Sequence, residues 1–157
     1  IVVESKREQF EKHFVEAMKC AKMGDPLDEA TTIGPMARHD LRDELHGQVK
    51  QSLGKGAVCL LGGEIPEGDG AFYPPTVLTG VKKGMTAYDD ELFGPVAGII
   101  VVKDEPEAVR VANEPLANRA VTTALSTSPT EATPSSTRAP PSPWTRMISS
   151  SISQRPR

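Results

Sequence analysis

Glu91-Leu92-Phe93-Gly94-Pro95-Val96 sets a carboxylate and an aromatic ring two residues apart, directly before a glycine-proline turn and the apolar run 96–102. The Gly-Pro pair stops any helix arriving over 85–90, and the β-branched run reads as one buried strand. Glu91 and Phe93 therefore fall on a loop at a strand's start. Loops braced by rigid elements are where ligands are usually met, and a carboxylate there can accept hydrogen bonds from one. The plainer reading is a solvated loop residue.

Other residue types that carry chemistry are less well placed. A catalytic thiol needs a stabilised, accessible thiolate and a base to serve it. Cys20, in Met18-Lys19-Cys20-Ala21-Lys22, sits near the end of an amphipathic helix with no base or pocket signalled. Cys59 lies in the apolar run 57–61 and is expected in the core. His39 and His46 are seven apart and could share a helix face, but no further ligand-spaced residues accompany them, so no metal site is expected. The loop carrying Asp28, Glu29, Thr31 and Thr32 lacks the spaced oxygens and turn glycine of a calcium loop.

The elements that must position the loop follow from periodicity and punctuation. Ser5-Lys6-Arg7-Glu8 is a capping-box sequence. It predicts a helix that buries Phe10, Phe14, Met18 and Ala21 and leaves Glu11, Lys12, Glu16 and Lys19 wet. Gly24 is expected to supply a left-handed exit, with Pro26 blocking continuation. A second helix shows Leu41, Leu45, Val49 and Leu53 on one stripe and ends at Gly54 and Gly56. Residues 57–61 predict a buried parallel strand after that helix. Pro74-Pro75 keeps the chain extended before strand Thr76-Val77-Leu78. Asp104 is placed to cap a last helix, with Pro106 in its first turn.

Composition bounds the function classes. The 157 residues are 38% hydrophobic with a net charge of −3, enough for one domain with a core and without the clustered Lys and Arg that phosphate neutralisation requires. No nucleic-acid partner is expected. No apolar run approaches the roughly 18 residues of a membrane span, and two distant cysteines indicate neither a disulfide framework nor a zinc site. A reducing cytoplasm is the default expectation.

Several motifs now stand in order: Gly24-Asp25-Pro26, Gly34-Pro35-Met36-Ala37-Arg38, Asp40-Leu41-Arg42-Asp43-Glu44-Leu45, Tyr73-Pro74-Pro75-Thr76-Val77-Leu78 and Glu91-Leu92-Phe93-Gly94-Pro95. In this order and spacing they resemble the later part of the catalytic domain of the aldehyde dehydrogenase superfamily, most of all its succinate-semialdehyde dehydrogenases. The resemblance runs from about Ile1 to about Asn113. It implies an α/β fold with a mainly parallel sheet flanked by helices, NAD or NADP as cofactor, a small aldehyde as substrate, and a homo-oligomer when complete. It also implies that Glu91 accepts hydrogen bonds from the ribose hydroxyls on the nicotinamide side of the cofactor and that Phe93 lies near the nicotinamide ring. A complete enzyme of this kind would be about three times longer on the usual scale of residues per domain, so the chain is expected to be a fragment. Neither cysteine matches the family's nucleophile loop. The catalytic cysteine and the general base are expected outside this sequence, and the chain alone is expected to be inactive. The alternative is a noncatalytic α/β domain that acts in subunit packing or binding.

The pattern breaks after Asn113. From Glu114 to Arg157 there is no glycine and no lysine, and Ser, Thr, Pro and Arg dominate. A partial catalytic domain over 1–113 is thus expected to give way to an irregular tail over 114–157, disordered or non-native. The run from Trp144 to Pro156 can be encoded by a string whose adjacent frame reads Leu-Asp-Thr-Asp-Asp-Phe-Ile-Ile-Asn-Gln-Pro-Thr-Ser, similar to an Asp-Thr-Gly-x-Val-x-Ile-Asn strand of the same superfamily. The tail is therefore read as a shifted frame entered between about Asn113 and Trp144. Sequencing the gene checks this: a stop codon in the adjacent frame, or no Phe-Gly-Gly-like continuation, overturns it.

Overall fold

A computed structural model describes residues 1–114. The elements, in chain order, are β1 (Val2–Val3), a 3₁₀ turn (Glu4–Lys6), α1 (Arg7–Lys19), α2 (His39–Gly54), β2 (Val58–Leu61), β3 (Thr76–Thr79), the one-turn α3 (Thr86–Asp89), β4 (Val96–Gly98), β5 (Val101–Val102) and α4 (Glu105–Ala112). The fold is α/β: β3 and β4 run parallel, β1 and β5 run parallel, and helices pack on both pairs.

Helix α2 forms where the apolar stripe places it. Leu45 and Val49 are buried in the larger core cluster with Tyr73, Leu78, Val81, Met85 and Tyr88, and Leu53 packs against them from the rim. Burying side chains of this size contributes roughly 1.5–3 kcal/mol each. The helix stops as expected, and Gly56 beyond it takes φ 101°, a conformation that costs a Cβ-bearing residue dearly. In the smaller cluster Phe10, Phe14 and Met18 of α1 cover Val2, Val77 and Ile99, with the two phenyl rings stacked at 5.4 Å.

Four local expectations are corrected. The capping box over Ser5–Glu8 is not formed: the 3₁₀ turn occupies Glu4–Lys6, so the N-cap is Lys6, with no side-chain cap bond. Glu11 is not on the wet face. Its carboxylate accepts from Arg7 Nε at 2.9 Å and from the buried Thr79 hydroxyl, since β3 passes beneath α1. Gly24 is not left-handed; a Cβ there would lie 2.8 Å from Thr31 Oγ1, so close approach accounts for the glycine. Strand β2 pairs with β3 antiparallel rather than parallel, and Val58 on it is exposed.

The run 96–102 is two strands, not one. Over Val96–Gly98 it pairs with β3; Ile99 N still donates to Leu78 O at 2.7 Å. Then Ile100 O accepts from Val2 N at 2.8 Å, and Val101–Val102 pair with β1. One extended segment thus ties two sheets together, and the start of the run is the end of the Glu91 loop.

At α4 the expected cap is present: Asp104 Oδ1 accepts from Glu107 N at 2.9 Å, while Glu107 Oε2 reaches back to Lys103 N at 2.9 Å. Asp104→Ala should cost about 1 kcal/mol. The measurement is amide exchange over 107–112, expected about fivefold faster with the remaining helices unchanged. Glu114, the first residue of the expected tail, is held to this domain by Lys83, Tyr88 and Arg110. The lysine and the tyrosine hydroxyl hold its carboxyl below the usual carboxylate range. The rest of the tail, with Trp144, Met147, Ile148 and Ile152, lies outside the described residues. Among the described residues no helix is long and apolar enough to cross a membrane.

Candidate functional site

The loop 90–95 joins α3 to β4 and is fastened at both ends. At its far end Thr76 N donates to Pro95 O at 2.9 Å, so β3 sets where the loop stops. Within it Gly94 N donates to Leu92 O at 3.0 Å and Val96 N to Gly94 O at 2.8 Å, two tight turns that proline and glycine permit. At its near end Gln48 Nε2 of α2 donates to Glu91 O at 3.3 Å.

Side chains alternate along the loop. Leu92 packs against the larger core cluster, whereas Glu91 is exposed and Phe93 is 72% exposed. The exposed ring offers a face on which a flat ligand could stack. No described side chain or backbone group hydrogen-bonds the Glu91 carboxylate, so its acceptor sites are open to donors from a ligand. Gly94 lies on α2. A Cβ at this position would stand 2.5 Å from Leu45 Cδ2 and 3.6 Å from Met36 Sδ. The glycine of the motif is thus explained by packing, and the Gly34-Pro35-Met36 segment is drawn into the same place.

Behind the loop, Tyr73 is fully buried and its hydroxyl lies 3.1 Å from His46 Nδ1, with the two rings edge to face. Burial pushes the Tyr73 phenol up to about 12, with Cys59 and Glu64 adding to the effect, so it stays neutral. His46 is therefore a partner of a core tyrosine, and His39, seven residues away, is exposed. Among the described residues no three His, Cys, Asp or Glu side chains converge to hold a metal. The acidic loop uses its carboxylates internally: Asp25 Oδ1 accepts from Leu27 N and Asp28 Oδ1 from Ala30 N, both at 2.9 Å.

The thiols are separate from this loop's chemistry. Cys20 is exposed and donates to Glu16 O at 3.4 Å; Cys59 is half-buried and donates to Leu61 O at 3.2 Å. Among the described residues neither is hydrogen-bonded to a histidine or a carboxylate, the arrangement that would activate a nucleophile.

Sequence reasoning missed the α2 residues that hold α3 and the start of the loop, Ser52 on Ala87 N and Gln48 on Glu91 O. Ser52 is completely buried although it is polar, and it lies seven residues from Leu45 and three from Val49 on the apolar stripe. A serine at such a position was the available signal. Gln48 carried none, because its partner is 43 residues away in sequence.

The family model described as "Aldehyde dehydrogenase family" matches residues 1–132. A succinate semialdehyde dehydrogenase [NAD(P)+] of Escherichia coli is 52% identical over 114 residues, covering 73% of this chain and 25% of the relative. The crystal structure of succinic semialdehyde dehydrogenase from Streptococcus pyogenes in complex with NADP+ superposes with a TM-score of 0.69 at 35% identity, covering 72% of this chain and 25% of that one. Betaine aldehyde dehydrogenase of Staphylococcus aureus in complex with NAD+ gives a TM-score of 0.67 at 30% identity over 72% of this chain and 23% of that one. The chain spans about a quarter of the length of the relatives it matches.

Proposed function

The chain belongs to the aldehyde dehydrogenase family, and from that premise we propose that it supplies the nicotinamide end of the cofactor site in an NAD(P)-dependent enzyme oxidising succinate semialdehyde to its carboxylic acid. The observation that carries this reading is the loop 90–95, where Leu92 is anchored inward while the open carboxylate of Glu91 and the exposed ring of Phe93 face out.

These residues fit the group. Glu91 would accept hydrogen bonds from the ribose hydroxyls, and Phe93 would lie beside the nicotinamide ring. The bound cofactor supplies the hydride acceptor. The chain's own part is orientation: a carboxylate that fixes the ribose limits the rotation of the attached ring, and a near-attack geometry is worth several kcal/mol of barrier. The Phe93 ring, covered on one face by the nicotinamide, would also help to keep water from it.

Neither Cys20 nor Cys59 acts as the nucleophile in this reading; the attacking thiolate and the general base come from elsewhere in the complete protein. The substrate assignment is supported by similarity to the relative named for succinate semialdehyde. A cytoplasmic homo-oligomer belongs to the same reading; the two unpaired thiols suit a reducing compartment.

The test compares succinate semialdehyde with butanal, which has the same carbon count and no distal carboxylate. Recognition of that carboxylate by a charge-assisted pair should favour the former by roughly tenfold or more in kcat/KM in the complete protein. Equal kcat/KM for the two aldehydes refutes the substrate assignment.

A further inference from the structure

Glu91 is exposed, and no described side chain holds its carboxylate, so the position of that carboxylate is inherited from the backbone beneath it. What fixes the backbone is a polar edge on α2. Ser52 Oγ donates to Gln48 O at 2.9 Å within the helix and accepts from Ala87 N of α3 at 2.8 Å. One residue back, Gln51 Oε1 accepts from the Thr86 hydroxyl at 2.9 Å. One turn back, Gln48 Nε2 donates to Glu91 O itself. These contacts hold α3 and the start of the loop against α2, while the Thr76 contact holds the loop's end.

The chemistry of the three contacts is unequal. The Ser52 hydroxyl is buried and uses both its donor and an acceptor site, so its replacement leaves an α3 amide short of a partner. Gln48 sits only partly covered, and its side chain does nothing else among the described contacts than bind the Glu91 carbonyl. It can therefore be changed with little effect on the core.

We propose that Gln48 and Ser52 are positioning residues for the cofactor: by fixing the Glu91 main chain they set the carboxylate's height and direction at the nicotinamide ribose. The inference rests on Glu91 being the cofactor ligand. A positioning residue acts through Glu91, so its effect must vanish when Glu91 can no longer act.

The experiment uses a complete family member with glutamine, serine and glutamate at these three positions, and measures the hydride-transfer rate in single turnover with deuterated and ordinary aldehyde. Gln48→Leu should slow that step by roughly two- to tenfold, the size expected for one neutral hydrogen bond, with an unchanged melting temperature. Gln48→Lys, which keeps a donor, should restore most of the rate. Combined with Glu91→Gln, the leucine change should add nothing. If Glu91→Gln slows hydride transfer but Gln48→Leu does not, or slows it equally in the Glu91→Gln background, the positioning role is wrong while the cofactor reading stands. If Glu91→Gln is itself without effect, both fall. Ser52→Ala should act in the same direction as Gln48→Leu; because it also removes a buried contact, the Gln48 series decides.

Discussion

Replacing Glu91 by glutamine in the complete enzyme should slow hydride transfer by about tenfold to a hundredfold and leave the fold intact. On the proposed reading two ribose hydroxyls donate to one carboxylate, each bond charge-assisted and worth about 1.5–3 kcal/mol. A carboxamide keeps one acceptor oxygen but turns a donor toward the second hydroxyl. One bond is lost and one repulsion gained, and each 1.4 kcal/mol is a decade in rate. Because the side chain is exposed and its carboxylate makes no hydrogen bond or ion pair among the described residues, the near-isosteric change should carry little packing cost. The checks are single-turnover rates with deuterated aldehyde, the cofactor dissociation constant and a thermal melt. A normal melt with slowed transfer is the expected pair of results. Unchanged cofactor kinetics would make Glu91 an ordinary solvated loop residue.

Gly94→Ala should have the next largest effect, through stability and site geometry together. The new methyl would sit 2.5 Å from Leu45 Cδ2, well inside van der Waals contact, and Leu45 is 1% exposed, so its side chain can yield only by repacking within the core. Overpacking of this kind costs about 1–3 kcal/mol. The loop yields more readily than the helix, so displacement should fall on Phe93 and Glu91 and weaken cofactor binding as well. Leu45→Val removes part of the obstruction. It should destabilise the wild-type protein yet partly rescue Gly94→Ala, a non-additivity readable in the melting temperatures of the two single variants and the double. Strict additivity would mean that the methyl does not clash with Leu45.

The sequence by itself determined the features whose partners lie within a few residues of one another. The α2 stripe of Leu45 and Val49, the Asp104 cap, and the Gly-Pro turn that leaves Glu91 and Phe93 on a loop before a strand all depend on helical period, a cap three residues away, or backbone stereochemistry. Those physical rules act locally, and the ordered motifs that carry the family resemblance are local strings too. What tertiary structure decided were relations between distant segments. An apolar run such as 57–61 looks the same whether its neighbour runs parallel or antiparallel, because strand direction is set by the returning chain and not by the strand's own residues. The run 96–102 does not encode its change of partner from β3 to β1, since extended backbone offers the same donors and acceptors to either. Glu11 lies on the polar side of α1 by period, yet Thr79, 68 residues away, draws it inward because a buried hydroxyl must find an acceptor. The same holds at the site: the need for glycine at 94 is set by Leu45, and the height of Glu91 by Gln48, side chains brought within reach only when α2 lies against the loop.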